Sequence, residues 1–116
     1  MVGSCIEAGG CIEETAAALN EDESRRANAA FIREAKRYLS YLAGKESLSG
    51  ATLHFIDPKP GCPPIKCVVN GKLRVFFIDV KLENDMIAIV KIGVCRKQNE
   101  DVVLREISSN PRANIR

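Results

Sequence analysis

Between residues 23 and 43 the apolar positions recur at helical spacing. At about 100° per residue, Phe31, Ala35, Tyr38, Leu39 and Leu42 share one stripe, while Arg26, Arg33, Lys36 and Arg37 fall on the opposite side. This predicts an amphipathic helix with one core face and one basic face. Gly44 would close it, because glycine enters the left-handed conformation without strain. A shorter helix is expected over 11–20, where Ile12, Ala16 and Leu19 follow i, i+4, i+7 and acids occupy the first turn. Asn20 would end that helix, and Asp22 and Ser24 are the candidate caps of the longer one.

After Gly50 the period changes from helical to extended. Residues 51–56 read as a strand stopped by the proline-rich 57–64, since proline has no donor for a β ladder. Residues 65–69 and 72–82 flank Asn70 and Gly71, a pair that tolerates the positive φ angles of a type I′ turn and so predicts a tight hairpin. A second hairpin, turning at Glu83, Asn84 and Asp85, leads into 86–95; after a polar turn over 98–101, residues 102–107 read as a final strand. The 86–95 stretch is apolar on both faces apart from Lys91 and Gly93, so it is expected in the sheet interior, covered on both sides. Helices would cover one side, and the N-terminal arm or a second subunit the other.

The expected fold class is therefore α+β: two N-terminal helices packed on a mainly antiparallel meander of four to five strands. One domain spans 1–116, divided into a flexible acidic arm (1–10), a helical hairpin (11–44), an antiparallel sheet (51–107) and a frayed tail (108–116). A chain of 116 residues has enough interior for one compact domain, and a second domain would have too little core.

No apolar run reaches the length of a membrane span. The first residues lack the charged start and apolar stretch of a secretory signal, and Val2 stands where myristoylation needs glycine, so a cytoplasmic location is expected. Aromatic residues make up 5% of the chain and tryptophan is absent, which disfavours a base-stacking platform. The net charge of +2 conceals an asymmetry: residues 1–24 hold six acids and no Lys or Arg, so the remainder is strongly basic. The acidic arm is expected to fold onto the face formed by Arg26, Arg33 and Arg37.

Five cysteines cannot all pair within one chain. None forms a Cys-x-x-Cys, and His54 is the single histidine, so no metal site and no cofactor is expected; Cys67 and Cys95 read as buried thiols in strands. His54 reads as a histidine on a sheet face. With no GxGxxG or GxxxxGK[ST], a nucleotide cofactor is not expected either. Asp79 interrupts an apolar run and is either a functional carboxylate or a charge on the solvent face, and Asp57 before Pro58 is a turn residue or an acid catalyst. The basic residues form the one coherent constellation: Arg26, Arg33, Lys36 and Arg37 on the helix, with Lys72, Arg74, Lys91, Arg96, Lys97 and Arg105 in the sheet half. Gathered in one concavity they would hold phosphate and stabilise a pentacoordinate phosphorus without metal; scattered, they are solubilising charge. The binding candidates are Arg26, Arg33, Lys36, Arg37 and Lys91.

The segment from Cys67 to Ile78, the turn at Glu83 to Asp85 and the segment from Met86 to Lys97, ending Val-Cys-Arg-Lys, resemble the strand core of RelE/HigB-type bacterial toxins. The family pattern is a helical hairpin followed by an antiparallel meander, with an arginine in the middle strand and basic residues after the next. The resemblance implies an mRNA endonuclease bound by a cognate antitoxin, with Arg74 as the middle-strand arginine and Arg96 or Lys97 at the following basic position. The chain departs from the family in two places: the family opens with a strand before the hairpin, for which Met1 to Ile6 carry little pattern, and its frequent C-terminal Tyr or His has no counterpart after Lys97.

Three functions follow in order. The first is a small interaction module binding a protein partner or its own copy, with no membrane attachment. The second is a metal-independent endoribonuclease of the RelE/HigB kind using Arg74, Arg96 and Lys97, which makes RNA a partner. The third is a cavity-bearing domain of the cystatin-like or NTF2-like kind.

Overall fold

A computed structural model describes residues 4–7, 19–45, 47, 53–56, 64–81 and 86–109. The long helix, α1, spans Glu21–Leu42. Asn20 is its N-cap: the side chain accepts from the backbone N–H of Glu23 at 2.8 Å, and the Glu23 carboxylate accepts from the backbone N–H of Asn20 at 3.1 Å. The spacing Asn-x-x-Glu makes this capping box, so Asn20 opens this helix, and Asp22 and Ser24 lie inside its first turn. Gly44, with φ +74°, follows the C-cap Ala43 as the sequence predicts. Ala27, Ala30, Phe31, Ala35 and Tyr38 are buried, whereas Leu42, expected in the same stripe, is exposed at the end of the helix. Residues 11–18 of the expected shorter helix lie outside the described residues.

Four strands form an antiparallel sheet: β2 (Leu53–Ile56), β3 (Ile65–Asn70), β4 (Leu73–Lys81) and β5 (Ile87–Arg96). A short stretch, β1 (Ser4–Glu7), pairs in parallel with β5, giving the order β1-β5-β4-β3-β2. Ser4–Glu7 thus extends the sheet where a flexible arm is expected from its acidic, glycine-flanked sequence; the rest of residues 1–10 lies outside the described residues. So do the expected turn at 83–85 and the Asp57 loop.

The β3–β4 hairpin forms one residue later than the Asn-Gly turn predicts. Asn70 pairs with Leu73, and Gly71 takes the first loop position with φ +56°. Mirror-image hairpin turns need a positive φ at that place, and glycine meets the need with least strain.

Residues 102–107 are not a strand but part of a helix, α2 (Glu100–Ser109), entered through a 3-10 turn at Lys97–Asn99. In a strand Arg105 would share the inner face with Val103 and Ile107. In a helix Val103 and Ile107 fall together at i, i+4, Arg105 turns outward, and Glu100 and Asp101 occupy the first turn, where the dipole favours acids.

The two helices cover opposite faces of the sheet. One core joins Phe31, Ala35 and Tyr38 of α1 to Val68, Val75, Phe77, Ile89 and Val94; the other joins Val103 and Ile107 of α2 to Ile65, Cys67, Phe76, Ile78, Ile92 and Cys95. Strand β5 is therefore covered on both sides, its second side by α2. A bulge and a glycine lie beneath that helix, and the glycine leaves room for it. Phe76 pairs with Gly93 and Phe77 with Lys91, leaving Ile92 as the extra residue; a Cβ on Gly93 would stand 3.3 Å from Val103 Cγ1. Among the described residues no helix is long and apolar enough to cross a membrane.

Candidate functional site

The β3–β4 turn and the end of β5 come together at one corner of the sheet. Leu73 pairs with Arg96, and the backbone N–H of Lys97 donates to the Lys72 carbonyl at 2.7 Å, which carries the ladder one step further. Lys72 and Lys97 therefore stand side by side, both exposed. The 3-10 turn then swings Gln98 around the same corner. Gly71, Lys72, Arg96, Lys97 and Gln98 line an open cavity of about 480 Å³.

Arg96 is anchored on the α1 side. Its Nε donates to Glu23 Oε2 at 2.9 Å and its Nη2 to Oε1 at 2.5 Å, a two-pronged grip that ties the first turn of α1 to the end of β5. The Arg96 hydrogen bonds, followed by the Asn20 backbone, hold the Glu23 carboxyl down at about 2, and the same pairing raises the guanidinium above its ordinary value. Three cations and one neighbouring carboxylate leave the corner positive. A fork of guanidinium N–H groups beside two ammonium groups suits phosphate oxygens.

Arg74 does not join this corner. Strand alternation turns it to the α2 face, opposite Arg96, and its register partner is Cys95. It is 8% exposed; Nη1 donates to the Gly71 carbonyl at 2.8 Å and to the Leu73 carbonyl at 2.9 Å, and Nε lies 3.7 Å from Glu100. Its observed contacts brace the turn that carries Lys72. Of the three residues the family resemblance assigns to catalysis, the structure brings together Arg96 and Lys97 and sets Arg74 apart.

The other binding candidates are dispersed. Arg26 pairs with Asp22 at 3.2 Å, Arg33 with Glu34 at 3.7 Å and Arg37 with Glu34 at 2.7 Å, all within α1, and Lys36 is exposed on the same helix. Lys91 faces α1, with Nζ 3.4 Å from Asn28 Oδ1 and 5.8 Å from the Phe31 ring centre. With Leu19, Ser24, Ala27, Asn28, Val75 and Val94 it lines a smaller cavity of about 220 Å³.

Asp79 is neither a free carboxylate nor a solvent-facing charge. It is half-buried and forms a close ion pair with the buried Lys66, whose ammonium lies 5.2 Å from the Tyr38 ring centre. Burial and then the Asp79 charge push the Tyr38 hydroxyl above its ordinary value. His54 is exposed on β2. Cys67 and Cys95 are buried free thiols, pushed up to about 12 and about 11 chiefly by burial, with Glu100 adding to the rise and Arg74 opposing it. β4 lies between their strands, which separates them by two strand spacings, roughly 9.5 Å, too far for a disulfide. Among the described residues no group of three His, Cys, Asp or Glu gathers as metal ligands.

Sequence reasoning alone nominates Lys72, Arg96 and Lys97 as basic residues, yet it passes over Glu23 and Gln98. The Asn20-x-x-Glu23 spacing was a usable signal for Glu23, since a capping box places that carboxylate at a helix start. Gln98 carries no such signal. Comparison of the chain with family models, with curated proteins and with solved structures finds no match.

Proposed function

We propose that this protein binds RNA through phosphate groups seated at Lys72, Arg96 and Lys97, and that it acts as a metal-independent endoribonuclease of the RelE/HigB kind. The observation that carries the reading is the convergence of these cations on one open cavity. The order of elements supports it as well, up to the closing helix α2: an opening strand, a helical segment, an antiparallel meander with an arginine in β4, and a basic pair, Arg96 and Lys97, at the end of β5. Three cations around a phosphodiester would offset the charge that gathers on a pentacoordinate phosphorus as the ribose 2′-oxygen, its proton passing to water, attacks and the 5′-oxygen leaves with a proton from water, giving a 2′,3′-cyclic phosphate and a 5′-hydroxyl. Arg74 serves this reading indirectly, by fixing the turn on which Lys72 rides.

The test is fluorescence anisotropy with a labelled single-stranded RNA, together with gel analysis of the same RNA for cleavage. Binding at about 50 mM salt should weaken steeply as salt rises, and the double variant Lys72→Ala/Lys97→Ala should lower the salt slope by about 1 to 2. A double variant that binds like the parent chain would overturn the phosphate site. Intact RNA after prolonged incubation with binding protein would overturn the nuclease half and leave the binding half.

A second reading, a protein-interaction module, is favoured by the β2 edge. Phe55 is 56% exposed there, and its ring centre lies 6.0 Å from that of Tyr38, which stacks on the exposed Tyr41. A strand edge with no pairing partner among the described residues, flanked by aromatic rings, suits strand addition by a second copy. Light scattering should then show a mass that rises with concentration and falls to the monomer in Phe55→Glu; a monomer at every concentration excludes self-pairing.

A further inference from the structure

A guanidinium carries five N–H donors in one plane, and Glu23 occupies one side of that of Arg96, taking Nε and one N–H of Nη2. Among the described residues Nη1 has no hydrogen-bond partner. The side chain keeps 33% of its surface open and lines the cavity beside Lys72 and Lys97. A carboxylate on one edge thus leaves the other edge, Nη1 with the second N–H of Nη2, available to an anion. Glu23 is itself held in place, because the same carboxylate accepts from the Asn20 backbone N–H.

We propose that Glu23 is a positioning residue for the phosphate site: its two-pronged grip fixes the plane of Arg96 so that the free guanidinium edge meets an RNA phosphate oxygen in the cavity. The inference rests on the RNA reading above. An arginine at the end of a strand, left to itself, samples many rotamers and must be ordered when it binds; two charge-assisted bonds from a capped helix order it beforehand. Glu23 thus serves the phosphate site without touching the phosphate, while the Asn20 side chain only caps the helix and takes no part in the Arg96 grip.

The effect has a diagnostic sign. Removing a carboxylate next to three cations raises the local positive potential, and charge alone would then tighten RNA binding. Positioning requires the reverse. Glu23→Gln is the informative variant, since glutamine at this position can still complete a capping box. We expect it to bind labelled single-stranded RNA about tenfold more weakly, the effect of one charge-assisted group no longer held in place. The Arg96 Nε–H resonance should exchange slowly in the parent chain, where Glu23 accepts from it, and should disappear in the variant. Asn20→Ala separates this role from helix integrity: it removes the cap and leaves the Arg96 grip, so Tm should fall while RNA affinity stays within about twofold. RNA affinity in Glu23→Gln equal to or tighter than that of the parent chain would overturn the proposal while leaving the RNA reading intact. Equal losses in Glu23→Gln and Asn20→Ala would overturn it in favour of a structural role. A parent chain that binds no RNA would remove the underlying reading, and this proposal with it, before any variant is compared.

Discussion

The two faces of the sheet treat the same residue type in opposite ways. On the α2 face Arg74 is buried among Cys67, Cys95 and Glu100, and its donors go to the carbonyls of its own turn. On the α1 face Arg96 is gripped by Glu23 and still opens onto the cavity. The two stand at neighbouring places on adjacent strands, since Arg74 pairs with Cys95. Strand alternation sends one inward beneath the C-terminal helix and the other toward the start of α1. The lesson is that a basic residue near a candidate site gains its role from the face it occupies: one arginine stiffens a turn, the other presents donors.

The largest expected effect is on the α1 face, at the Lys66 and Asp79 pair. Asp79→Asn leaves a buried ammonium without its counter-charge and should lower stability by about 3 kcal/mol in urea unfolding, whereas Lys66→Met/Asp79→Leu should return to within about 1 kcal/mol of the parent chain. A double variant as unstable as the single one would mean that packing around Tyr38, and not the unpaired charge, sets the cost.

Arg74→Ala sharpens the contrast between the arginines. It should lower stability by about 2 kcal/mol, through the turn carbonyls and Glu100 left without their donor, and weaken RNA binding of the folded protein only about two- to threefold, by loosening the turn that carries Lys72. A large loss of affinity at full folding would show that the α2 face takes part in binding after all.

The smallest effects are in pH dependence, and the two faces should respond at opposite ends of the scale. Glu23 is lowered from 4.5 to about 2, so its contribution is complete above pH 4.5 and is lost as pH falls toward 2. Cys67 and Cys95 are raised from 9.0, so their buried neutral state favours the fold below pH 9 and is opposed as pH rises through about 11 to 12. Acid titration followed by the Arg96 Nε–H resonance checks the first. Thiol labelling at pH 8 checks the second: Cys67 and Cys95 should react only on unfolding.

Much of the fold was legible because its signals are local. The stripe through Phe31, Ala35 and Tyr38, the glycine at 71 and the doubly apolar run through Ile89 and Ile92 each depend on a few consecutive residues. The misread segment is equally instructive. Val102 to Ile107 is rich in β-branched residues, which fit a strand by propensity, but its helical pairing of Val103 with Ile107 meets the space left by Gly93. Propensity is a preference of about 1 kcal/mol at most, and tertiary burial outweighs it. For the candidate site, the basic character of Lys72, Arg96 and Lys97 was readable, while their convergence required the register that sets Leu73 against Arg96.

By itself, then, the sequence determined the long helix, the tight hairpin, the doubly buried strand and the excess of positive charge, because periodicity, turn chemistry and composition act over short distances. Only the tertiary structure decided that Ser4–Glu7 joins β5, that the last segment is a helix, that Arg74 is buried while Arg96 is presented, and that Glu23 holds Arg96. These are contacts between residues far apart in the chain, such as Glu23 with Arg96, and no local pattern encodes which distant partner a side chain will meet.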